Sequence, residues 1–158
     1  MAADITTSQV WKAIEAQTFG VLGLVTSRNE ARTVGIVYTV HDGKLYIGTS
    51  TDSWKVRHAQ SNANVSVTIP IAKRIPFLPW IQIPAATVSF SGDARVLPLD
   101  AVDPEVSRAL FQVENLPDAD AMSLIEVQPR GTFLTYGIGV SLMKMRDPTE
   151  ARGRAPVR

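Results

Sequence analysis

The chain has 158 residues, of which 45% are hydrophobic and 20% charged, with 16 Lys and Arg against 15 Asp and Glu and no cysteine. A chain of this length is expected to form one domain that buries roughly 68–70% of the surface exposed on unfolding, so it needs no covalent cross-link. The lack of cysteine excludes disulfides, thiolate zinc sites and a catalytic thiol, and the net charge of +1 argues against a broad nucleic-acid-binding face.

The first third of the chain is an amphipathic segment followed by apolar ones. A short helix is predicted over residues 8–17, with Ser8 as its N-cap. Three antiparallel strands are predicted in succession after it, over residues 19–27, 33–40 and 44–48. Polar residues 28–31 and the Asp42-Gly43 pair separate these strands, and Asp-Gly between two apolar runs is a strong hairpin signal.

The later elements again mix helices with strands. We predict a helix within residues 51–62, strands over 64–71 and 86–97, a helix over 103–115, and strands over 123–127 and 132–138. Gly92 predicts a bend or bulge in its strand. Residues 1–145 are expected to form the single domain. Residues 146–158 hold four Arg, two Pro and almost no large apolar residue, so they predict a mobile basic tail.

These elements predict a mainly β fold with six to seven antiparallel strands, arranged as a small closed or partly closed barrel. The alternation excludes a helical bundle but does not by itself distinguish a barrel from a sandwich. The N-terminus lacks the basic and apolar regions of a signal peptide, and no apolar stretch approaches the roughly 20 residues of a membrane-spanning helix. We therefore expect a cytoplasmic protein that binds neither membranes nor nucleic acid.

Residues 48–58 carry the clearest chemical signal. A strand ending in hydroxyl residues is followed by a helix start, where free N–H groups and the helix dipole favour an anion. Ser53 can donate its hydroxyl there, and Lys55 in the first turn suits a bound phosphate although it is unfavourable for the dipole alone. Arg57 and Arg32 can add charge. The alternative is an ordinary surface helix with a solvated Lys55, since the chain has no Gly-rich phosphate loop.

Residues 73–84 combine three prolines with strongly apolar side chains, among them Phe77, Leu78, Trp80 and Ile81, and the prolines prevent a regular helix or a central strand. They can lie over a cofactor or across a dimer interface, with Trp80 stacked on a flat ring. Two adjacent cations are fewer than a membrane-surface loop usually needs. For Trp80 alone we favour a hairpin connection pinned onto the core by its aromatic side chains. His58 is interpreted as a helix-surface histidine rather than a general acid.

An ordered series of signals links this chain to a known family. The series consists of strand 20–26, a polar turn, strand 32–40, Asp42-Gly43, strand 45–49, the Ser53-x-Lys55 helix start, segment 62–67 and strand 88–97 around Gly92. It resembles the flavin-binding split-barrel family, typified by pyridoxamine 5′-phosphate oxidase and the flavin/deazaflavin oxidoreductases. The resemblance covers about half of the chain and implies a split β-barrel homodimer with two cofactor sites at the subunit interface.

The resemblance also implies which residues bind the cofactor, whereas the catalytic residues are not identified and the composition predicts no metal site. In the family the strand matching 32–37 lies along the isoalloxazine ring, and the positions of Thr49 and Ser50 contact the cofactor. The positions of Ser53 and Lys55 bind its phosphate, and Thr87 matches a position that can reach it. The implied set is Arg32, Thr33, Val34, Gly35, Ile36, Val37, Thr49, Ser50, Ser53, Trp54, Lys55, Arg57 and Thr87.

Three hypotheses for function stay open. Trp54 and Val37 stand where pyridoxamine phosphate oxidases carry basic residues, which argues against a true member of that enzyme class. The first hypothesis is an FMN-dependent oxidoreductase for an unidentified small molecule, in which the flavin carries the hydride. The second uses the deazaflavin F420, whose acidic tail suits Arg57, Lys73 and Arg74. The third is a non-catalytic module that holds flavin or haem.

Overall fold

The computed structural model of the protein describes residues 4–75, 77, 78, 80, 81, 83, 85–111 and 118–158. The helices and strands in chain order are α1 (Thr7–Glu15), β1 (Phe19–Val25), β2 (Ala31–Val37), β3 (Thr39–His41), β4 (Lys44–Ser50), α2 (Trp54–Ser61), β5 (Asn64–Ile71), β6 (Ala86–Pro98), α3 (Pro104–Phe111), β7 (Met122–Tyr136), α4 (Pro148–Ala151) and β8 (Arg152–Pro156). None of the described helices combines the length and apolarity needed to span a membrane.

The described strands form one antiparallel sheet. Its order is β2-β1-β5-β6-β7-β4-β3, and β8 pairs with β7 beside this path. β2 also contacts β4 although the two do not pair, so the sheet curls around a core. The largest fully buried side chains of that core are Phe133, Ile14, Leu22, Leu24, Leu45, Ile47, Ile69, Leu124, Ile125, Val10, Val56 and Val67. The predicted antiparallel barrel is confirmed, with eight strands in the described residues rather than six or seven.

The strand predicted over residues 33–40 is two strands. The break falls at Tyr38, which is buried and donates its hydroxyl to the carbonyl of Ile14 at 2.7 Å, while its N–H donates to Thr18. This anchor to α1 separates β2 and β3, which lie at opposite ends of the strand order. The hairpin at Asp42-Gly43 is confirmed, since both residues have positive φ, 48° and 69°, as a two-residue hairpin turn requires.

The C-terminal third differs most from the sequence-based expectation. The strands predicted over 123–127 and 132–138 are one continuous strand, β7, in which Gly131 has a φ of 74°. The mobile tail predicted over 146–158 is wrong, because residues 148–151 form α4 and 152–156 pair with β7 as β8. The alternate residues Gly153, Ala155 and Val157 are buried, so this segment closes one side of the core.

Three smaller predictions also change. Thr6 caps α1 in place of Ser8, in a reciprocal pair of hydrogen bonds with Gln9. The irregularity in β6 lies between Ser89 and Ser91 rather than at Gly92. The helix predicted over 103–115 spans Pro104–Phe111, and residues 112–115 lie outside the described residues.

Candidate functional site

The junction between β4 and α2 places hydrogen-bond donors at the start of a helix. Ser53 caps α2, and its Oγ accepts hydrogen bonds from the Val56 N–H at 3.4 Å and from Thr49 Oγ1 at 3.2 Å. Both bonds use the oxygen as acceptor, so the Ser53 hydroxyl proton remains available to a ligand. The first N–H groups of the helix have no acceptor within it. These donors lie at the positive end of the helix dipole, and together they favour a bound anion.

Lys55 adds a full charge at this helix start. The first turn of α2 contains no acidic residue, and Lys55 forms no salt bridge with any described residue. Its ammonium therefore lies near the positive end of the dipole with no ion-pair partner among the described residues. A phosphate at this position compensates both, which favours the anion-site interpretation over the ordinary surface helix.

A cleft of about 290 Å³ lies beside α2. Its lining residues come from the β1–β2 hairpin and from α2, and are Thr26, Ser27, Arg28, Glu30, Arg32, Trp54 and His58. The structure thus brings together Arg32 and Trp54, two of the sequence-predicted residues. The Trp54 and His58 rings lie edge to face with centroids 5.7 Å apart. Their i, i+4 spacing places both rings on one face of α2. His58, interpreted from the sequence as a helix-surface histidine, therefore lines this cleft.

β2 presents most of its predicted site residues to solvent. Arg32, Thr33, Gly35 and Val37 are exposed, whereas Ile36 is buried in the core. The side chain of Ile36 is therefore not available to a ligand. A Cβ on Gly35 would lie 3.1 Å from the Phe19 ring, so glycine lets this ring cross the strand. Phe19 and Val37 are paired and 50% and 60% exposed.

The remaining predicted residues are dispersed. Ser50 is exposed at the end of β4, and Arg57 is exposed on α2, while Thr49 is buried beneath Ser53. Thr87 lines a different and larger cleft of about 680 Å³ between β6, β7 and β8. Within one chain, therefore, no described cleft contains both Thr87 and Trp54.

The Pro-rich loop does not pack as predicted. Phe77 is 89% and Trp80 is 74% exposed, so the interpretation of a connection pinned onto the core by its aromatic rings is wrong. Lys73 donates its ammonium to the carbonyl of Val140 at 3.0 Å, which fixes the start of the loop against the chain after β7. Residues 76, 79, 82 and 84 lie outside the described residues.

Comparisons with known proteins relate the chain to solved structures only. No protein-family model matches it, and no curated protein matches it significantly in sequence. Among solved structures, a haem-binding protein from Mycobacterium smegmatis is similar over 99% of this chain and 60% of its own, with a TM-score of 0.68 and 13% identity. A candidate pyridoxamine 5′-phosphate oxidase from Listeria innocua is similar over 78% of this chain and 92% of its own (TM-score 0.61, 17% identity).

An F420 reductase is also similar, over 77% of this chain and 93% of its own, with a TM-score of 0.56 and 16% identity. At these identities the likeness concerns the fold alone. It confirms the split-barrel architecture expected from the ordered series of sequence signals.

Proposed function

We propose that this split-barrel protein binds a phosphate-bearing flavin, FMN, at the start of α2 and works as a flavin-dependent oxidoreductase on a small molecule. The observation that supports this most strongly is the donor set at the β4–α2 junction. The Ser53 hydroxyl keeps its proton for a ligand, and Lys55 has no salt bridge with any described residue. When bound, the flavin supplies the hydride chemistry.

The chain's own residues hold and orient the cofactor in this proposal. Lys55 and Ser53 bind the phosphate, and the buried Thr49 holds Ser53 in position through its hydrogen bond. β2 stands at one end of the strand order, and such an edge presents unpaired N–H and C=O groups. These groups can bind the polar edge of the ring, and Val37 with Phe19 can cover its apolar part.

The size of the cleft supports a dimer in which the cofactor is shared. At about 290 Å³, the cleft beside α2 lies at the lower end of the roughly 300–1,000 Å³ typical of small-molecule sites. A flavin bound there would extend along β2, where Phe19 and Val37 expose apolar surface. A second copy of the chain packed on this face would bury both the ring and the apolar pair.

F420 is the second candidate cofactor. No Asp or Glu occurs between Asp52 and Asp93, while this segment carries Lys55, Arg57, Lys73 and Arg74. Arg57 and Arg74 are exposed and form no salt bridge with the described residues, so they suit an acidic tail. Lys73 suits it less, because its ammonium already donates to Val140.

Titration of the purified protein with FMN and with riboflavin, which lacks the phosphate, tests the proposal. Lys55→Ala should weaken FMN binding by about 10- to 100-fold, the size of a lost hydrogen bond to a charged group, and should leave riboflavin unchanged. Lys12→Ala, an exposed lysine on α1, is the matched control and should change neither.

The phosphate assignment would be contradicted if Lys55→Ala weakened the binding of FMN and riboflavin equally, or if it did not weaken FMN binding at all. F420 titrated in parallel identifies the deazaflavin if it binds more tightly than FMN, and a Soret band in the purified protein would favour the haem-binding module. Turnover is tested by reduction of the bound cofactor with NADPH or by its reoxidation.

A further inference from the structure

We infer that the Pro-rich loop, residues 73–84, docks on the surface of an anionic lipid bilayer. Four large apolar side chains of this loop are open to solvent: Phe77 is 89%, Trp80 74%, Ile81 44% and Leu78 37% exposed. Single exposed apolar residues are ordinary, but several of them in one short segment mark a surface that binds a partner. The backbone of the loop and the charges around it indicate the chemistry of that partner.

Two backbone hydrogen bonds fold the tip of the loop. The Leu78 N–H donates to the Ile75 carbonyl at 3.1 Å, and the Ile81 N–H donates to the Leu78 carbonyl, also at 3.1 Å. Each bond joins residues three apart, as in a β-turn, and the sequence has a proline within each span, a residue that favours turns. Phe77 and Trp80 each precede the donor of one bond. The exposure of the two rings is therefore maintained by two successive turns.

The base of the loop lies against the segment that follows β7, residues 137–146. At the start of the loop, the Lys73 ammonium donates to the Val140 carbonyl at 3.0 Å. Just beyond the end of the loop, the Cβ of Ala86 lies 3.3 Å from where a Cβ on Gly137 would stand. Both ends of the loop therefore adjoin this segment.

The contact between the two segments brings four cations together. The loop carries Lys73 and Arg74, and the segment after β7 carries Lys144 and Arg146, with no Asp or Glu in either stretch. Arg74, Lys144 and Arg146 are exposed, and none of the three forms a salt bridge with a residue that the structure describes. Four Lys or Arg reach the size of the clusters that bind anionic lipids. The expectation of no membrane binding considered only the two cations adjacent in sequence, and this inference reverses it.

A lipid surface fits this patch better than a second copy of the chain does. Two copies docked through the loop would bring cations of the same sign together, whereas a layer of anionic headgroups compensates them. Trp is typical of the membrane–water interface, and Phe and Leu side chains can enter the acyl boundary below it. The long side chains of Lys and Arg can reach the headgroup phosphates while their aliphatic parts cover apolar surface.

This inference goes beyond the flavin proposal and does not depend on it. None of the described residues that line the cleft beside α2 belongs to the loop or to residues 137–146. Ser53 and Lys55, the proposed phosphate ligands, lie in neither stretch. The loop is therefore expected to bind a bilayer whether or not a cofactor is bound.

Co-sedimentation with vesicles tests the inference, using phosphatidylcholine alone or mixed with phosphatidylglycerol in equal parts. The protein should bind the anionic vesicles at least about tenfold more tightly. Phe77→Ala should weaken this binding by about tenfold or more, because a ring buried among lipids is lost, and Arg74→Gln should weaken it by about fivefold. The matched controls are Phe19→Ala, at an exposed Phe that begins β1, and Arg108→Gln, at an exposed Arg on α3. Neither control should change the binding.

Trp80 provides a second readout, which reports contact with the lipid directly. Lipids brominated on their acyl chains should quench its fluorescence when the anionic vesicles are added. Trp80→Phe should still bind the vesicles but should lose most of this quenching, because Trp11 and Trp54 lie outside the loop and are only partly exposed. Quenching that persists in Trp80→Phe would show that another part of the surface meets the bilayer, and would overturn the inference.

The inference is also overturned if the anionic vesicles bind no protein, if they bind it no better than the neutral ones, or if the loop variants bind like their controls. A lower mass of Phe77→Ala by light scattering without lipid would assign the loop to a second copy of the chain instead. Weaker FMN binding in Phe77→Ala with unchanged vesicle binding would place the loop over the cofactor, which also overturns the inference. A wild type that binds vesicles but not FMN would confirm this inference and contradict the proposed function.

Discussion

Replacing Glu126 with Gln tests a buried charge cluster that joins β4, β6 and β7. The Glu126 side chain is 6% exposed and accepts four hydrogen bonds. Arg95 donates two of them, at 2.9 and 2.6 Å, Tyr46 donates one at 3.0 Å and Lys44 one at 3.3 Å. Glutamine keeps the shape but removes the charge and replaces one acceptor oxygen with a donor group.

The expected loss of stability depends on how well water can solvate Arg95 and Lys44 once residue 126 carries no charge. Breaking a fully buried ion pair costs about 3–5 kcal/mol because a charge is left unpaired. Here the Arg95 and Lys44 side chains are 64% and 29% exposed, so solvent compensates part of that loss. We expect Glu126→Gln to lower the free energy of unfolding by about 2–3 kcal/mol. For a chain of this length that is a fall of roughly 4–12 °C in Tm.

The pH dependence gives a second measurement on the same variant. Burial opposes ionisation of Glu126, but hydrogen bonds from Arg95, Tyr46 and Lys44 outweigh it and lower the pKa of this carboxyl below its ordinary value of 4.5. A lowered pKa stabilises the fold above the unfolded value, and this contribution is lost as pH falls through the folded value. The difference in Tm between wild type and Glu126→Gln should therefore shrink below about pH 4.

Thermal unfolding followed by circular dichroism provides both measurements. Asp93→Asn is the matched control, because it makes the same carboxylate-to-amide change in an exposed pair with Arg130. It should cost only about 0–1 kcal/mol. The reasoning fails if Glu126→Gln lowers Tm no more than Asp93→Asn, or if its effect is unchanged in acid.

Two further predictions concern the β7–β8 side of the barrel. Thr135→Val removes the hydroxyl that is buried without a hydrogen-bond partner in the described residues, so the free energy of unfolding measured in urea should rise by about 0.5–2 kcal/mol; a lower urea midpoint would contradict this. Ending the chain at Ala151 removes β8, which contains the buried Ala155, and the buried Val157 that follows it, and should cost about 2–4 kcal/mol in stability. Removal of Arg158 alone is the control, and a truncated chain as stable as that control would refute a structural role for β8.

Local patterns predicted the parts of the fold that depend on neighbouring residues. The Asp42-Gly43 hairpin, the strand over residues 64–71 and the helix within residues 51–62 are each determined by nearby residues, and all are confirmed. The proposed phosphate-binding pair, Ser53 and Lys55, could be identified from the sequence for the same reason. The cleft beside His58 was not predicted, because it is formed by Trp54 and the β1–β2 hairpin together.

The wrong predictions, the undivided strand at Tyr38 and the mobile C-terminal tail, have the same physical cause. In both places contacts distant in sequence determine the structure. Tyr38 lies in a continuous β-branched and aromatic run, and only its hydrogen bond to Ile14 on α1 shows where the strand divides. β8 alternates strictly between exposed and buried residues, but its buried positions are Gly153 and Ala155. Such small side chains give little hydrophobic signal, and the arginines between them suggested a solvated tail.

The pairing of β4 with the distant strand β7 also has a consequence for biosynthesis. β4 pairs with β7, so Leu45 finds its partner Val127 only after 82 further residues have been added. Contacts so distant in sequence slow folding, and strand edges left open in the meantime favour aggregation. The β3–β4 hairpin carries Leu45 and Ile47, which are buried in the folded protein. On the nascent chain these side chains lack their β7 partners until the C-terminal third has been synthesised. Slower synthesis between β4 and β7 would therefore lengthen the period in which a nascent chain can associate wrongly with its neighbours.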